Sequence, residues 1–281
     1  MAHPVSPSSA VIGHLSSLLD HTNPDIREQA GWCVGNIAGE GVQYRDLLLA
    51  GNVHLGVLKN IQFPANVGIL KNLTWTFSNL CRGKPHVDID LVKAGIPTLV
   101  SLVKQEFKSV VEDTTEEDCK DVVVDASWAL SYLTDGSDER IKCVAGIPGA
   151  VQLLVDVLTT CESFQVITPV LRAVGNIVSG NEEHTQMVLD CGVMRAVPKL
   201  LVNAKKSVRK VRAASRAVQF RAIRFEPLVR SQSSFASRLV RSALLPARCL
   251  TLAFRSVPGW SVTSRRGRLG RFMSFSGTRR R

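Results

Sequence analysis

The sequence predicts an all-α fold in which about four copies of a helical repeat stack as a solenoid. A short pattern recurs four times, beginning at Trp32, Trp75, Trp128 and Arg172, and the copies are 43, 53 and 44 residues apart. This period is typical of helical solenoids, whose units bury their apolar faces against their neighbours. Hydrophobic residues make up 45% of the chain but aromatics only 6%. That balance favours packed helices rich in Leu, Val, Ile and Ala.

The predicted elements follow one order in each repeat: a short helix ending near a glycine, an apolar second helix, and a long third helix carrying the pattern. Residues 1–9 contain two prolines and three serines and are expected to be disordered, and helical periodicity begins at Ala10. Asn23 followed by Pro24 predicts the start of the first pattern-bearing helix. The apolar second helices are expected at 55–61, 96–103, 147–158 and 193–202. They follow glycines that we expect to be left-handed, at Gly51, Gly95, Gly146 and Gly192.

The one long spacing between repeats has a visible cause between Val103 and Val122. This segment is rich in Glu and Asp and holds about ten residues more than the period requires. We expect it to form an acidic surface loop between the second and third helices of one repeat.

The net charge of +11 averages two unlike segments. Residues 1–203 contain 15 Lys and Arg against 23 Asp and Glu, whereas residues 204–281 contain 20 Lys and Arg against the single acid Glu226. Repetition also stops in the second segment, because the next Trp and Asn are due at Ala214 and Val218. We therefore predict that residues 211–281 form an arginine-rich tail outside the repeats, disordered for most of its length.

The recurring pattern is the main functional signal in the sequence. An aromatic residue and an amide four positions apart lie on one face of a helix, as in Trp32 and Asn36 or Trp75 and Asn79. When third helices stack in register, these side chains form a row, which we call the Trp/Asn ladder. Its eight positions are 32, 36, 75, 79, 128, 132, 172 and 176, and Tyr132 and Arg172 occupy the two exceptions.

These motifs resemble the armadillo repeats of importin alpha, an adaptor that binds nuclear localisation signals. The matching stretches are 28–39, 72–82, 127–136 and 171–180, and the resemblance extends from about residue 10 to Lys210. It implies a right-handed superhelix of about four armadillo repeats over residues 10–210. It also implies that the third helices line a concave groove for an extended, lysine-rich peptide.

The chemistry of the ladder suits such a peptide. Asn side chains can pair with a peptide backbone whatever its side chains are. Lysine stems can lie between Trp rings, with cation–π attraction of about 0.5–2 kcal/mol each. Acidic side chains would then receive the ammonium groups. The peptide-binding set implied by the resemblance is Glu28, Gln29, Trp32, Asn36, Glu40, Asn72, Trp75, Asn79, Arg82, Asp125, Trp128, Tyr132, Asp135, Arg172 and Asn176.

The resemblance also implies partners and location. Cargo proteins with basic nuclear localisation signals are the expected partners, in the cytoplasm and the nucleus. The family's importin-β-binding segment and the two repeats that precede the Trp32 repeat are expected to be absent from this chain. Glu40 stands where the family usually has Asp, which alters the geometry of the deepest lysine pocket.

Other functions remain open for the fold and for the tail. The solenoid could be a generic armadillo scaffold for another extended peptide. The tail could bind nucleic acid or an anionic membrane surface, fold back into the acidic groove, or derive from an out-of-frame or retained-intron reading of the gene. The sequence contains no phosphate-binding loop, nucleophile elbow or metal-ligand spacing. We therefore expect no enzyme activity, cofactor, metal site or membrane-spanning segment.

Overall fold

A computed structural model describes residues 7–111, 117–202, 260–267 and 270–277. The described helices belong to the first of two units, residues 1–223, and the two strands belong to the second, residues 224–281. The helices are α1 (Pro7–Leu19), α2 (Pro24–Glu40), α3 (Val42–Ala50), α4 (Val53–Gln62), α5 (Val67–Cys81), α6 (Ile89–Val92), α7 (Ile96–Val111), α8 (Glu117–Leu133), α9 (Asp138–Ala145), α10 (Ala150–Thr160), α11 (Phe164–Ser179), α12 (Glu182–Asp190) and α13 (Val197–Val202). Short 3₁₀ turns occupy Lys93–Gly95 and Val193–Arg195.

The helices stack as the predicted solenoid. The four helices that carry the ladder, α2, α5, α8 and α11, pack against one another in chain order. Each also packs on an apolar second helix of its own repeat: α1 on α2, α4 on α5, α7 on α8 and α10 on α11. One continuous apolar core runs through these layers, from Leu15 in α1 to Leu200 in α13. This packing places successive ladder positions side by side.

Several predicted helix boundaries are confirmed. The side chain of Asn23 accepts a hydrogen bond from the backbone N–H of Asp25 at 2.9 Å and caps α2, whose first residue is Pro24.

The loop expected between Val103 and Val122 is mostly helical instead. Helix α7 continues to Val111 and α8 begins at Glu117, because both apolar helical patterns extend into the inserted residues.

The glycines that end the short helices have a different role from the predicted one at three positions. Gly51 and Gly146 have φ of −83° and −73°, and the left-handed residues that follow them are Asn52 and Gly149. Gly95 ends a 3₁₀ turn and also lacks a positive φ. Gly192 is left-handed as expected, with φ of 82°. A Cβ atom at Gly51 would lie 2.2 Å from Cγ2 of Ile12. Close approach to a neighbouring helix, and not backbone conformation, therefore requires glycine at position 51.

The ends of the chain differ in part from the sequence expectation. Helix α1 begins at Pro7, inside the stretch expected to be disordered, and residues 1–6 lie outside the described residues. Residues 203–259, which comprise the last eight positions of the predicted solenoid and most of the tail, also lie outside them. Its described part is an antiparallel pair, β1 (Trp260–Gly267) and β2 (Gly270–Gly277), in which Trp260 pairs with Gly277 and Gly267 with Gly270. Regular structure in this part of the tail was not expected.

None of the described helices is individually long and apolar enough to cross a bilayer, whereas α9 and α10 pass a length and composition criterion only as a pair that bends by 81°.

Candidate peptide-binding groove

The ladder positions lie in register on the four stacked helices, and the two on α2 are the most exposed. Trp32 on α2 is 53% exposed, whereas Trp75 on α5 and Trp128 on α8 are partly buried. Asn36 is exposed, Asn176 is partly buried, and Asn79 is only 7% exposed. The structure therefore brings together the aromatic and amide groups that the sequence placed on one face.

The ladder asparagines also join neighbouring helices. Nδ2 of Asn79 donates to the backbone carbonyl of Gly35 at 3.1 Å, across the α2–α5 contact. Nδ2 of Asn176 donates to the carbonyl of Ser131 at 3.0 Å, across the α8–α11 contact. Nδ2 of Asn176 also donates to Oγ1 of Thr134 at 3.3 Å. An amide side chain has two N–H donors and an acceptor oxygen, so Asn79 keeps one donor and its oxygen for a ligand, and Asn176 keeps its oxygen. Sequence reasoning assigned these groups to the peptide and missed their part in the scaffold.

Asn36 differs from the other two asparagines. Its Nδ2 donates to the carbonyl of Trp32 at 3.0 Å, one turn earlier in the same helix. Because this bond stays within α2, Asn36 does not join two helices through it. Its exposed amide is the most accessible of the three.

Glycine at position 35 brings α2 and α5 into close contact. A Cβ atom there would lie 2.3 Å from Cζ3 of Trp75 and 2.5 Å from Oγ1 of Thr76. The Thr76 hydroxyl in turn donates to the carbonyl of Gly31 at 2.9 Å. The ring of Trp75 therefore rests on the backbone of the preceding ladder helix, which fixes its position in the row.

Two of the predicted acidic groups for lysine lie at the Trp32 end of the row. Glu28 accepts a hydrogen bond from Nδ2 of Asn72, which links α2 to α5. Its carboxylate is therefore partly engaged, where the sequence suggested a free acceptor. Glu40 is exposed at the last residue of α2, and Gln29 is exposed near the middle of that helix. A carboxylate at a helix C-terminus opposes the helix dipole, so Glu40 is unfavourable for the helix itself.

Asp125 on α8 is partly buried one turn before Trp128. Burial, and next the nearby charge of Asp121, raise the pKa of the Asp125 carboxyl to about 7. Lys71 on α5 lies 2.9 Å from Asp121 and partly offsets this effect. The carboxyl is therefore only partly ionised at neutral pH, a state that no local sequence pattern predicts.

Tyr132 and Arg172, which occupy ladder positions in place of Asn and Trp, pack against each other. The rings of Trp128 and Tyr132 stack with their centroids 5.7 Å apart, and the guanidinium carbon of Arg172 lies 5.2 Å from the Tyr132 centroid. Arg172 also donates to Asp135 at 3.0 Å, and Nζ of Lys84 lies 3.7 Å from the same carboxylate oxygen. Asp135 therefore already has two cationic neighbours, whereas the sequence reserved it for a ligand.

Beside this cluster lies a cleft of about 200 Å³. We call it the central cleft, because it separates the Trp32–Asn79 part of the row from Asn176. It includes Lys84 and His86, which sequence reasoning did not select. Burial lowers the pKa of His86, which disfavours the charged imidazolium. The residues that line the cleft are Arg82, Gly83, Lys84, His86, Tyr132, Asp135 and Arg172.

Two buried arginines, also missed from the sequence, hold the backbone around this cleft. Arg45 on α3 is 1% exposed and donates to the carbonyls of Arg82 at 2.7 Å and Pro85 at 3.0 Å. Arg140 on α9 donates to the carbonyls of Val87 at 2.6 Å, Asp135 at 3.0 Å and Tyr132 at 3.3 Å. A repeat signal could have found them, since each follows by five residues the acid at the end of a ladder segment, Glu40 or Asp135.

Within the described ranges, no group of three or more His, Cys, Asp or Glu side chains could hold a metal ion. The arrangement offers aromatic faces, amide groups and carboxylates in a row. Such a surface is suited to non-covalent binding of an extended chain.

Comparisons with known proteins agree with this architecture. A family model described as Armadillo/beta-catenin-like repeat matches residues 9–39. Importin subunit alpha-1b of Oryza sativa subsp. japonica is 38% identical over 197 residues, which are 69% of this chain and 34% of that protein. Importin subunit alpha-3 of Arabidopsis thaliana is 39% identical with the same coverage. This chain thus spans about a third of the length of the curated relatives it matches.

A designed armadillo repeat protein in complex with peptide (KR)4 has a TM-score of 0.61 and 26% identity to this chain. The similarity covers 74% of this chain and 82% of that structure. The repeat spacing, the stacked helices and these relatives lead to one conclusion. The helical part of this chain is an armadillo-repeat solenoid, related in sequence to the importin alpha subunits.

Proposed function

We propose that this chain binds extended, lysine-rich peptides along the Trp/Asn ladder, as a receptor for nuclear localisation signals. The observation that carries the proposal is the row of Trp32, Trp75 and Trp128 in register with Asn36 and Asn79 on stacked helices. The similarity to importin alpha subunits supports a place in protein import between cytoplasm and nucleus. A chain of this type is a binding adaptor and not an enzyme.

The proposed mechanism is non-covalent. The exposed amide of Asn36 and the remaining donor and acceptor capacity of Asn79 pair with the backbone of the peptide. Lysine stems lie against the ring of Trp32 and between the rings of Trp75 and Trp128. The designed armadillo repeat protein was solved in complex with the basic peptide (KR)4, which supports the proposal that a groove of this fold can accept basic side chains.

Charge assists both capture and selectivity. Residues 1–203 carry eight more acidic than basic side chains, which attract a basic peptide over distances of about 10 Å at 0.1 M salt. Glu40 and Asp125 supply carboxylates near the aromatic rings. The cargo partners are therefore proteins that display clusters of lysine.

The test is the affinity of a fluorescently labelled lysine-rich peptide, measured by anisotropy, for the full chain and its Trp32→Ala variant. Because Trp32 is exposed, its removal leaves no core cavity, and loss of one cation–π wall of about 0.5–2 kcal/mol predicts a two- to thirtyfold weaker affinity. Phe63→Ala is the matched control, since Phe63 is 77% exposed at the end of α4 and lies outside the ladder.

An affinity unchanged by Trp32→Ala, or equal losses in both variants, would contradict the proposal. A peptide with every lysine acetylated tests the role of charge and should bind at least about tenfold more weakly. Equal binding of both peptides would indicate a generic armadillo scaffold that recognises only the peptide backbone.

A further inference from the structure

The central cleft differs in charge from the rest of the helical unit. Arg82, Lys84 and Arg172 line it with three cationic side chains, and Asp135 is its single carboxylate among the described residues. Lys84 is 72% exposed, and its ammonium group lies 3.7 Å from Asp135. No described carboxylate lies within ion-pair distance of Arg82. The cleft thus carries a local charge of about +2 in a solenoid that is acidic overall.

The walls of the cleft are held in place by two buried arginines. Arg45 and Arg140 together donate five hydrogen bonds to backbone carbonyls on both sides of it. Arg172 is held over Tyr132 by its contact with the ring and by its bond to Asp135. The cationic groups are therefore presented on a preorganised frame, which lowers the ordering cost of binding an anion.

Concentrating cations in one place does not stabilise the fold. Three cationic side chains line the cleft, and two of them, Lys84 and Arg172, share the one carboxylate of Asp135. Like charges at short range repel, so an anion bound here would relieve an unfavourable field. This is the reverse of the chemistry at the Trp/Asn ladder, where carboxylates attract cations.

The size and donor set of the cleft indicate the class of anion. At about 200 Å³ it is smaller than typical sites for drug-sized ligands, and it suits one terminal group of a side chain. A phosphoryl group has a charge of about −1.5 to −2 at pH 7 and three strong acceptor oxygens. Guanidinium groups bind such oxygens in a bidentate manner, and the imidazole of His86, which also lines the cleft, can donate one further N–H.

We propose that the central cleft binds the phosphoryl group of a phosphoserine or phosphothreonine in a peptide that lies along the groove. The phosphoresidue would lie between the segment held near Trp75 and the segment held near Asn176. This inference rests on the proposed peptide-binding function and assigns a different group of the same ligand to a site outside the Trp/Asn pairs. Phosphorylation of a cargo between two lysine clusters would then tighten its binding.

The experiment compares peptides in which two lysine clusters flank a central Ser, phosphoserine or Asp, measured by anisotropy with the full chain at about 0.1 M salt. We expect the phosphoserine peptide to bind at least about fivefold more tightly than the Ser peptide, with the Asp peptide between them. Lys84→Glu should remove most of this preference and leave affinity for the Ser peptide within about twofold. Lys59→Glu is the matched control, because Lys59 is similarly exposed on α4 and bonds to Asp20 far from the cleft.

The outcomes separate this inference from the proposed function. If the Ser peptide binds and the phosphoserine peptide binds no better, the phosphoryl site is wrong and the peptide groove stands. If no lysine-rich peptide binds, the proposed function itself fails. A preference that Lys59→Glu abolishes as fully as Lys84→Glu reflects general charge and also overturns the site.

Two competitors test the source of the phosphoryl group. Inorganic phosphate at about 10 mM and constant ionic strength should leave the preference in place, because the peptide-borne group has the higher effective concentration. Loss of the preference would show a site for free phosphate instead. A single-stranded RNA oligonucleotide that displaces the phosphopeptide from the original chain but not from Lys84→Glu would show a nucleic-acid site and overturn the proposal.

Discussion

Replacement of Gly35 by Ala tests how the ladder helices α2 and α5 are held together. The new Cβ would lie 2.3 Å and 2.8 Å from two atoms of the Trp75 ring and 2.5 Å from Oγ1 of Thr76. All three separations are shorter than van der Waals contact allows. Because the indole ring is rigid, the ring or the helix must move.

The expected change in the free energy of unfolding combines two costs and one gain. Overpacking of a tight interface costs about 1–3 kcal/mol. Displacement of Thr76 weakens its 2.9 Å hydrogen bond to the carbonyl of Gly31, at a cost of about 0.5–1.5 kcal/mol. Alanine recovers about 1 kcal/mol of helix propensity relative to glycine. The net expectation is a loss of about 1–3 kcal/mol in the free energy of unfolding.

Gly39→Ala is the matched control on the same helix. Its Cβ would meet only Nδ2 of Asn79, at an ordinary contact distance of 3.6 Å. We expect an unchanged stability or a gain of at most about 1 kcal/mol. Urea denaturation followed by circular dichroism measures both variants. With a slope of about 2 kcal/mol per M, Gly35→Ala should lower the midpoint by about 0.5–1.5 M. Equal midpoints for the two alanine variants would refute the close-packing argument.

Two further predictions concern the ladder and its charge. Asn79→Ala should destabilise the fold by about 0.5–1.5 kcal/mol in urea denaturation, because it removes a buried hydrogen bond that joins α5 to α2. Asn36→Ala should cost less than about 0.5 kcal/mol, because its bond is exposed within one helix, and equal losses would contradict the assigned bonds. Affinity for a lysine-rich peptide should rise by up to about tenfold from pH 6 to pH 8, because Asp125, with a pKa of about 7, ionises over that interval. Asp125→Asn should flatten the anisotropy-derived profile, and an unaltered slope in that variant would exclude Asp125 as the titrating group.

The sign of the Asp125 effect on stability is opposite to its effect on binding. Its pKa in the folded chain is raised above the value of 3.8 that an unperturbed carboxyl has. The folded state therefore holds the proton more tightly, and its stability falls as the pH rises from about 4 to about 7. A lysine side chain bound beside Asp125 would favour the ionised form and offset this loss.

Local patterns in the sequence were sufficient for the helices and their order. The Asn23–Pro24 start of α2 and the stop near each short-helix glycine depend on backbone chemistry within a few residues. The stacking of ladder helices follows from a period that can bury apolar faces only against the next repeat. The prediction of a loop between Val103 and Val122 was wrong. Composition alone does not distinguish an acidic loop from the exposed side of a helix.

The sequence by itself thus determined a helical repeat, its period and the residue types that face the groove. The tertiary structure decided which hydrogen bonds and ion pairs those residues make in the unbound protein. Asn79, Asn176, Glu28 and Asp135 each meet a partner about 40 residues away in the chain, at a distance that no local pattern specifies. The pKa of Asp125 and the cationic central cleft likewise arise from burial and from charges brought together by stacking, since electrostatic energies depend on separation in space and not in sequence.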